Sequence, residues 1–320
     1  MKRKLAALTL LLIMTALPAR ALAAELPLPK EGVYTFAWIS DPQHYSARYP
    51  FLYSSMTAYL NNRKQALNLQ YVVCTGDLVN DYDDERQWEV ADASFHTLKN
   101  IPYGVLAGNH DFRVGAEDGS ALYKKYFGSR RFEDFACYAD SFEDNRGHVD
   151  LIDAGETKFV FVYMSYRLDD AAIDYMIKSL EAYPDRLGVL CLHDYVDGDM
   201  ELTRDGRRVF ERVLPLAPNL RYVLCGHEYG VGLREDTVQN GDGTSRTVYT
   251  MLQNYQAASR GGEGYFRLLY VDEKADTITV RTYSAAKNDE NYFDTPGRRG
   301  LDKNYTFDTA LESFTLPLCR

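Results

Sequence analysis

The sequence predicts an α/β fold in which two β-sheets pack face to face and helices cover their outer surfaces. In the first half of the chain, apolar strand-like runs alternate with segments of helical periodicity. From about residue 230 the pattern changes. Val248 to Tyr255 and Tyr265 to Asp272 are rich in β-favouring residues, and Thr277 to Tyr283 alternates. Alternating strands and helices in the first half, followed mainly by strands in the second, favour two sheets packed face to face with helices outside.

The elements follow in order along the chain. Val33 to Ser40 is almost continuously apolar and predicts a strand covered on both faces. Pro50 begins a helical pattern, and Gln70 leads into a second strand that ends at Gly76. The acidic run at residues 81–85 predicts the start of another helix, because carboxylates favour a helix N-terminus.

The middle of the chain is less regular. Residues 112–146 lack clear strand periodicity, although Tyr123, Tyr126 and Phe127 have the spacing of a short packed helix. This segment either lines a substrate pocket or forms a plain surface excursion. Its candidate pocket residues are Arg130, Arg131, Tyr138 and the loop near Gly147.

Regular patterns then resume. Lys158 to Met164 predicts a strand, Asp169-Asp170 predicts a helix cap, and Leu187 to Leu192 predicts a further strand. A helix from Arg207 to Leu214 leads to the strand that ends at Gly226.

The first residues predict an export signal. Lys2-Arg3-Lys4 is positively charged, Leu5 to Leu17 is an apolar segment short for a membrane span, and Ala21-Leu22-Ala23 is a small-x-small cleavage site. We expect residues 1–23 to be a signal peptide and residues 24–320 to form one domain. The mature chain is then secreted or periplasmic and has no membrane span. An uncleaved anchor is the alternative.

The charge of the chain argues against a nucleic-acid polymer as partner. The formal net charge is −10, and cleavage after Ala23 would remove four positive charges and no negative ones. Bulk electrostatics would therefore repel DNA or RNA. Small phosphate esters remain compatible with this charge, because bound cations reverse the local field.

The cysteines show no disulfide framework. They are five in number, and Cys74, Cys191 and Cys225 lie inside apolar strand runs, where we expect buried thiols. A disulfide between two of these three, or between Cys137 and Cys319, stays open in an oxidising compartment.

Five predicted strands end directly before side chains that bind metal ions. In α/β folds, ligands collect beyond the carboxyl ends of strands, where side chains from separate loops meet. Carboxylates, an amide and imidazoles at such ends suit a site for two hard or borderline cations, which can hold an attacking and a leaving oxygen in line. The residues at these ends are Asp41, Asp77, Asn109, His193 and His227.

The neighbouring residues suggest acid–base chemistry. Asp77 is a candidate to bridge both cations, because a carboxylate offers two oxygens. His110 follows Asn109 directly, and we expect it to protonate the leaving oxygen, with Asp111 orienting its ring.

The ordered set resembles the calcineurin-like metallophosphoesterase superfamily over residues of about 35 to 285. The resemblance implies a four-layer metallophosphoesterase-type β-sandwich flanked by helices, formed by the mature chain. It implies two divalent or mixed-valence ions of Mn, Zn or Fe and a small phosphoester substrate. It also implies that one ion binds Asp77, Asn109, His193 and His227. The motifs that carry it are Asp41-x-Gln43, Gly76-Asp77, Gly108-Asn109-His110-Asp111, His193 and Gly226-His227.

The second ion site departs from the family pattern. By the resemblance it would be built by Asp41, Gln43, Asp77 and Tyr229, but the family usually has histidine at the positions of Gln43 and Tyr229. Gln43 can still offer an oxygen, whereas Tyr229 ligates as a phenolate or does not ligate at all. His44 is a possible substitute ligand.

These observations support an exported, metal-dependent hydrolase of a small phosphomonoester or phosphodiester. The alternative is a non-catalytic or weakly active descendant that keeps one metal and binds a ligand or partner. His110 and Asp111 favour the enzyme, while Gln43 and Tyr229 favour the alternative. A serine hydrolase is disfavoured because the chain lacks a Gly-x-Ser-x-Gly motif. Asn254 and Gln256, at a strand end, either face the pocket or stabilise a sheet edge.

Overall fold

The computed structural model describes residues 28–113, 115, 119–293 and 309–320. Within those residues, strands and helices are interspersed up to Arg212, after which the chain is mainly β. The strands are β1 Val33–Ile39, β2 Leu69–Cys74, β3 Tyr103–Val105, β4 Tyr138–Phe142, β5 Gly147–Ala154, β6 Thr157–Met164, β7 Leu187–Leu192, β8 Leu220–Cys225, β9 Gly230–Gln239, β10 Ser245–Asn254, β11 Tyr265–Asp272, β12 Thr277–Ser284 and β13 Ser313–Pro317. The helices are α1 Gln43–Arg48, α2 Pro50–Arg63, α3 Glu85–His96, α4 Ala121–Phe127, α5 Asp170–Glu181 and α6 Arg204–Arg212. Short 3₁₀ turns lie at Ser129–Arg131, Leu214–Leu216, Ser259–Gly261 and Thr309–Glu312.

The strands form two mixed sheets. The first has the order β13-β12-β11-β1-β2-β3, and the second has the order β4-β5-β6-β7-β8-β10-β9. The strands β1, β2 and β3 are parallel to one another, and so are β6, β7 and β8. Their carboxyl ends therefore lie at one edge of each sheet, which is where α/β folds place their ligands.

The inner faces of the two sheets make an aromatic-rich core. The ring of Phe36 on β1 meets Phe159 and Phe161 on β6 edge to face, with centroids 5.1 and 5.4 Å apart. Residues of both sheets share this buried cluster. Two further apolar clusters lie on the outer faces, one with α2, α3 and α4 and the other with α5 and α6. The predicted four-layer sandwich flanked by helices is confirmed.

The helix starts follow local capping chemistry. The side chain of Asp84 accepts a hydrogen bond from the Arg86 amide at the start of α3, and Asp169 accepts one from Ala172 at the start of α5. Helix α6 begins at Arg204, earlier than predicted, because the Thr203 hydroxyl caps it by accepting from the Gly206 amide.

Two parts of the fold were not predicted. Helix α1 has only six residues, which is too short for a recognisable helical period. The expected loop near Gly147 is the turn at residues 143–146, but the strand on each side of it was not predicted: Gly147 begins β5, where it pairs with Met164, and β4 pairs on its other side. The half-buried β4 shows no clean alternation, which explains why its sequence gave no strand signal.

All five cysteines lie within the described residues and carry free thiols. Cys74, Cys191 and Cys225 are buried as expected, while Cys137 and Cys319 are partly exposed. No helix of the described residues has the length and apolar character needed to cross a membrane. The predicted signal peptide at residues 1–23 lies outside the described part of the chain.

Candidate metal centre

Ligand atoms from three strand ends converge at one point between the sheets. The side-chain oxygen Oδ1 of Asn109 lies 2.9 Å from Nε2 of His193 and 2.9 Å from Nδ1 of His227. The two ring nitrogens are 3.2 Å apart. Asn109 follows β3 of the first sheet, whereas the two histidines follow β7 and β8 of the second. The site thus depends on the packing of both sheets.

Two buried carboxylates complete this group. Oδ1 of Asp77 lies 3.3 Å from Nε2 of His193, and the ligand atoms of Asp41, Asp77 and His193 all lie within 4.8 Å of one another. Asp41 also accepts hydrogen bonds from the backbone N–H of His227, at 3.1 and 3.2 Å. The ends of β1, β2, β7 and β8 therefore meet in a single buried site.

The backbone is bent sharply at three of these ligands. Asp41, Asp77 and His227 have φ values of 50°, 52° and 68°, in the left-handed region that non-glycine residues rarely adopt. Each such residue costs on the order of 1–3 kcal/mol, and such strain persists where surrounding structure enforces it, often at functional sites. The bends turn each side chain from the strand end into the site.

Two glycines let the carboxylates approach the neighbouring strand ends. A Cβ at Gly108 would overlap Oδ1 of Asp77 and lie 2.6 Å from Cε1 of His193. A Cβ at Gly226 would overlap Oδ2 of Asp41 and lie 3.1 Å from its Cγ. Only glycine leaves room for the ligands at these two positions.

The hydrogen bonds of the site fit a cation. Nδ1 of His193 lies 2.9 Å from the carbonyl oxygen of Thr75 and donates its proton there, which leaves the Nε2 lone pair facing Asn109 and Asp77. That nitrogen and the oxygens of Asn109 and Asp77 are electron donors directed at a common region. A metal ion satisfies such a set, and N/O ligation suits Mn, Zn or Fe.

The electrostatics of the site agree with that fit. Burial, and then the charge of Asp77, raises the pKa of Asp41 well above its usual value, and the same two causes raise the pKa of Asp111. Burial lowers the pKa of His193 to about 4, so its ring is neutral at physiological pH. Buried carboxylates beside a neutral imidazole are costly unless a positive charge compensates them.

Gln43 lies beside Asp77 but presents its nitrogen. Its Nε2 donates to Oδ2 of Asp77 at 2.8 Å and to the side-chain oxygen of Gln256. Its own Oε1 is buried and has no hydrogen-bond partner among the described residues. Ligation through oxygen, as predicted, requires the amide to rotate by half a turn.

The other candidates for the second ion site are less buried than Asp41 and Gln43. Tyr229 is 42% exposed, in contrast to the buried Asp41 and Gln43. His44 occupies the first turn of α1 and is outside the group whose ligand atoms lie within 4.8 Å. Burial, and then the charge of Arg48, lowers the pKa of His44.

The ring of His110 is fixed by a residue that sequence reasoning missed. Its Nδ1 lies 2.7 Å from the carbonyl oxygen of Asn80, and its backbone N–H donates to Oδ1 of Asp77 at 2.9 Å. Asp111 was expected to orient this ring, but it is buried and accepts instead from the backbone N–H groups of Val79 and Gly108, at 3.0 and 2.7 Å. Asp111 thus holds the two ligand-bearing loops together.

Asn254 and Gln256 make hydrogen bonds beside the site. Nδ2 of Asn254 donates to the carbonyl oxygen of His227 at 2.9 Å, and its Oδ1 accepts from the Gln256 amide. Through Gln256 this contact continues to Gln43. The end of β10 thus contacts both His227 and Gln43.

A cavity of about 810 Å³ adjoins the site. Of the candidate pocket residues from the sequence, the loop near Gly147 lines the cavity through Glu143, Asp144 and Arg146. Arg131 pairs instead with Asp92 and Tyr103, and the Tyr138 hydroxyl donates to Asn145. The strand-end pattern that revealed the ligands also marks Ser165-Tyr166 after β6. The residues around the cavity include Ala107, Phe112, Tyr123, Lys124, Arg146, Ser165, Tyr166, Arg167, Asp194 and Arg204.

Comparisons with known proteins identify a family and two relatives of this chain. The family described as calcineurin-like phosphoesterase matches residues 34–230. The chain is 40% identical over 276 residues to the uncharacterized protein YvnB of Bacillus subtilis, covering 85% of this chain and 21% of YvnB. It is 25% identical over 216 residues to a probable cyclic nucleotide phosphodiesterase of Colwellia psychrerythraea, covering 63% of this chain and 73% of that protein.

One solved structure shares the fold over most of the chain. Purple acid phosphatase PPD1 from yellow lupin (Lupinus luteus) seeds superposes with a TM-score of 0.54 at 13% identity, covering 91% of this chain and 55% of the lupin protein. The chain thus spans about a fifth of YvnB and about half of the lupin phosphatase.

Proposed function

Because the chain belongs to the calcineurin-like phosphoesterase family, we propose that it is a metal-dependent phosphoric ester hydrolase acting on a small phosphomonoester or phosphodiester. The observation that carries this proposal is the convergence of the Asn109, His193 and His227 ligand atoms within 3.2 Å of one another. Nitrogen and oxygen donors that converge in this way match the ligands that transition-metal ions prefer.

The ligands divide into two sets that share Asp77. Asp77, Asn109, His193 and His227 would hold one ion. Asp41, Asp77 and Gln43 would hold the other, with Tyr229 as a phenolate ligand or as a bystander. When bound, two such ions supply positive charge to the phosphoryl oxygens and lower the pKa of water.

The chain's own residues supply the remaining chemistry. The Asn80 carbonyl holds Nδ1 of His110, which leaves Nε2 for the substrate. We assign the imidazolium form of His110 the role of general acid: its Nδ1–H stays with the Asn80 carbonyl, and its Nε2–H passes to the leaving oxygen as the phosphorus–oxygen bond breaks, which leaves the ring neutral. Asp111 supports this role indirectly by fixing the loops that carry Asp77 and Asn109.

Replacement of His110 tests this role. A general acid contributes roughly 10² to 10⁴ in rate. His110→Ala should retain metal while losing turnover on alkyl phosphates, and it should lose much less on nitrophenyl esters, whose leaving group needs no proton. The exposed His96 on α3 provides the control, as His96→Ala. Equal losses on both kinds of ester would contradict the role of His110.

The substrate is expected to be small. The net charge of −10 disfavours a nucleic-acid polymer. A small diester is supported by the Colwellia relative, which is named a probable cyclic nucleotide phosphodiesterase. The first test is metal analysis of protein purified without chelator, followed by a panel of phosphomonoesters and phosphodiesters with added Mn, Zn or Fe.

Export is part of the proposal. It is supported by the basic start, apolar segment and Ala21-Leu22-Ala23 site of the sequence. N-terminal sequencing of protein recovered outside the cytoplasm should begin at Ala24. Recovery of the chain with Met1 intact would contradict cleavage.

A second candidate function is a weakly active or non-catalytic descendant that keeps a single ion and binds a ligand or partner. It is favoured by the amide nitrogen that Gln43 presents to Asp77 and by the exposure of Tyr229. One bound ion per chain, with no turnover of any ester in the panel, would support it over the dinuclear enzyme.

A further inference from the structure

The cavity beside the metal centre is larger than a phosphate group needs. Its volume of about 810 Å³ lies in the range of pockets that enclose drug-sized organic ligands. Its wall includes Ala107, which precedes the Gly108-Asn109 turn, and Asp194, which follows the ligand His193. A substrate with its phosphoryl group at the metal centre would therefore extend its organic part into this cavity.

Tyr166 forms the wall between the metal ligands and the cavity. Its ring centroid lies 5.4 Å from that of His227 and 5.8 Å from that of His193. Its backbone N–H donates to the carbonyl oxygen of Ala107, and the Ser165 hydroxyl accepts from the Ala107 N–H, both at 2.9 Å. These two hydrogen bonds fix the backbone that carries the ring, two residues from Asn109.

The chain after Tyr166 is bent to hold this position. Arg167 has a φ of 68°, in the left-handed region, and its side chain is exposed at the cavity rim. Strain of this kind at a cavity that borders a metal centre is typical of functional segments.

Other aromatic residues face the same space. The half-buried ring of Phe112 lies 6.5 Å from that of Tyr166, with the planes inclined by 52°, and Tyr123 is buried in the wall. Aromatic rings attract one another at centroid separations of about 4.5–7 Å. A planar group entering the cavity would find aromatic surface on two sides.

We propose that this cavity binds the leaving group of the substrate and selects phosphoesters whose alcohol carries a planar aromatic ring, with Tyr166 as the specificity-determining residue. The proposal rests on the proposed phosphoesterase function. The ring of the substrate packs against Tyr166 and Phe112, which orients the scissile phosphorus–oxygen bond toward the metal ligands. Stacking of a nucleobase on an aromatic side chain typically corresponds to about 5- to 150-fold in affinity.

Two probes test the selection without changing the scissile bond. Adenosine 5′-monophosphate and ribose 5-phosphate both present a phosphate on a primary carbon of ribose, but only the first carries a planar base. The wild-type kcat/KM should favour adenosine 5′-monophosphate by at least about 5-fold, mainly through KM. Tyr166→Ala should bring the ratio of the two kcat/KM values close to one, whereas Tyr166→Phe should preserve it.

Matched controls separate this role from a structural one. The Tyr166→Ala change keeps the backbone N–H that bonds to Ala107, so metal content and Tm should stay near the wild-type values. Phe51 on α2 is 74% exposed and does not line the cavity, so Phe51→Ala should leave the ratio unchanged. Calorimetric binding of adenosine, which needs no turnover, should weaken in Tyr166→Ala and persist in Tyr166→Phe.

The outcomes distinguish this inference from the proposed function. If no ester is hydrolysed with any metal, the proposed function fails, and adenosine binding still decides whether the cavity selects planar rings. If both esters are hydrolysed at equal kcat/KM, or if Tyr166→Ala keeps the wild-type ratio, the selection by Tyr166 is overturned. The same holds if wild-type protein does not bind adenosine.

Discussion

The substitution Gly108→Ala should disrupt metal binding through a single methyl group. The new Cβ would lie 2.6 Å from Cε1 of His193 and would overlap Oδ1 of Asp77, whereas ordinary contacts of this kind are 3.4–4 Å. The Asp77 and His193 side chains must therefore move by about 1 Å. Both are tightly enclosed, because Asp77 and His193 are buried at 1% exposure, so the displacement cannot be absorbed by solvent-exposed atoms.

The expected loss of metal affinity follows from the effect of displacing the groups that orient metal ligands. Mutation of the groups that orient ligands typically lowers metal affinity about 10- to 100-fold. Overpacking a close-packed site also costs about 1–3 kcal/mol of stability. Because Asp77 belongs to both proposed ion sites, Gly108→Ala should weaken both of them. Gly226→Ala, whose Cβ would have its nearest contacts with Ser40 and Asp41, should weaken mainly the ion held by Asp41.

Metal titration monitored by calorimetry and by Tm provides the assay. The control is Gly241→Ala, because a Cβ at Gly241 has no atom within 4 Å. Gly241→Ala should match the wild type in Mn affinity and in the rise of Tm on adding Mn. Gly108→Ala should lose most of that rise. Mn affinity in Gly108→Ala within a factor of about three of the control would refute the close-approach argument, since the expected loss is at least about 10-fold.

Three further predictions follow from the site and its supports. Asp77→Asn should lower bound metal more than Asn109→Ala, because only Asp77 is shared; equal losses in the two variants would exclude a bridging role. Tyr229→His should raise second-ion occupancy and activity while Tyr229→Phe changes little, as metal analysis of both variants would show. If Tyr229 ligates instead, iron-loaded protein should have a visible phenolate band that Tyr229→Phe removes. Arg246→Met should lower Tm without changing metal content. The Arg246 guanidinium donates to the backbone carbonyls of residues 214, 217 and 220, and each buried carbonyl left without a partner costs about 1–3 kcal/mol. An unchanged Tm would contradict this.

Much of the site could be predicted from the sequence because its residues follow local patterns that mark strand ends and helix starts. An apolar run followed directly by Asp41, Asp77 or His227 marks a strand end, and parallel strands bring such ends to one edge. The helix starts at Asp84 and Asp169 were equally local, since a capping side chain bonds within three residues of itself. Fold and family therefore followed from the order of these patterns.

Other features depend on contacts between residues far apart in the chain. The carbonyl that fixes the His110 ring belongs to Asn80, thirty residues earlier. The side-chain oxygen of Gln256 accepts a hydrogen bond from Nε2 of Gln43 and so helps to orient that amide with its nitrogen toward Asp77. A carbonyl is present at every residue, so no sequence pattern distinguishes the one that will bond to a given ring.

The sequence by itself determined which side chains stand at the strand ends, because alternation, turns and caps are set by neighbouring residues. Only the tertiary structure decided which of those side chains meet. Asn109 contacts His193 and His227 only because the two sheets pack with the carboxyl ends of their parallel strands side by side. The role of Tyr166 as a wall of the cavity likewise arises from the backbone contact between β6 and the loop after β3. Such contacts are fixed by the packing of whole sheets, which no local pattern encodes.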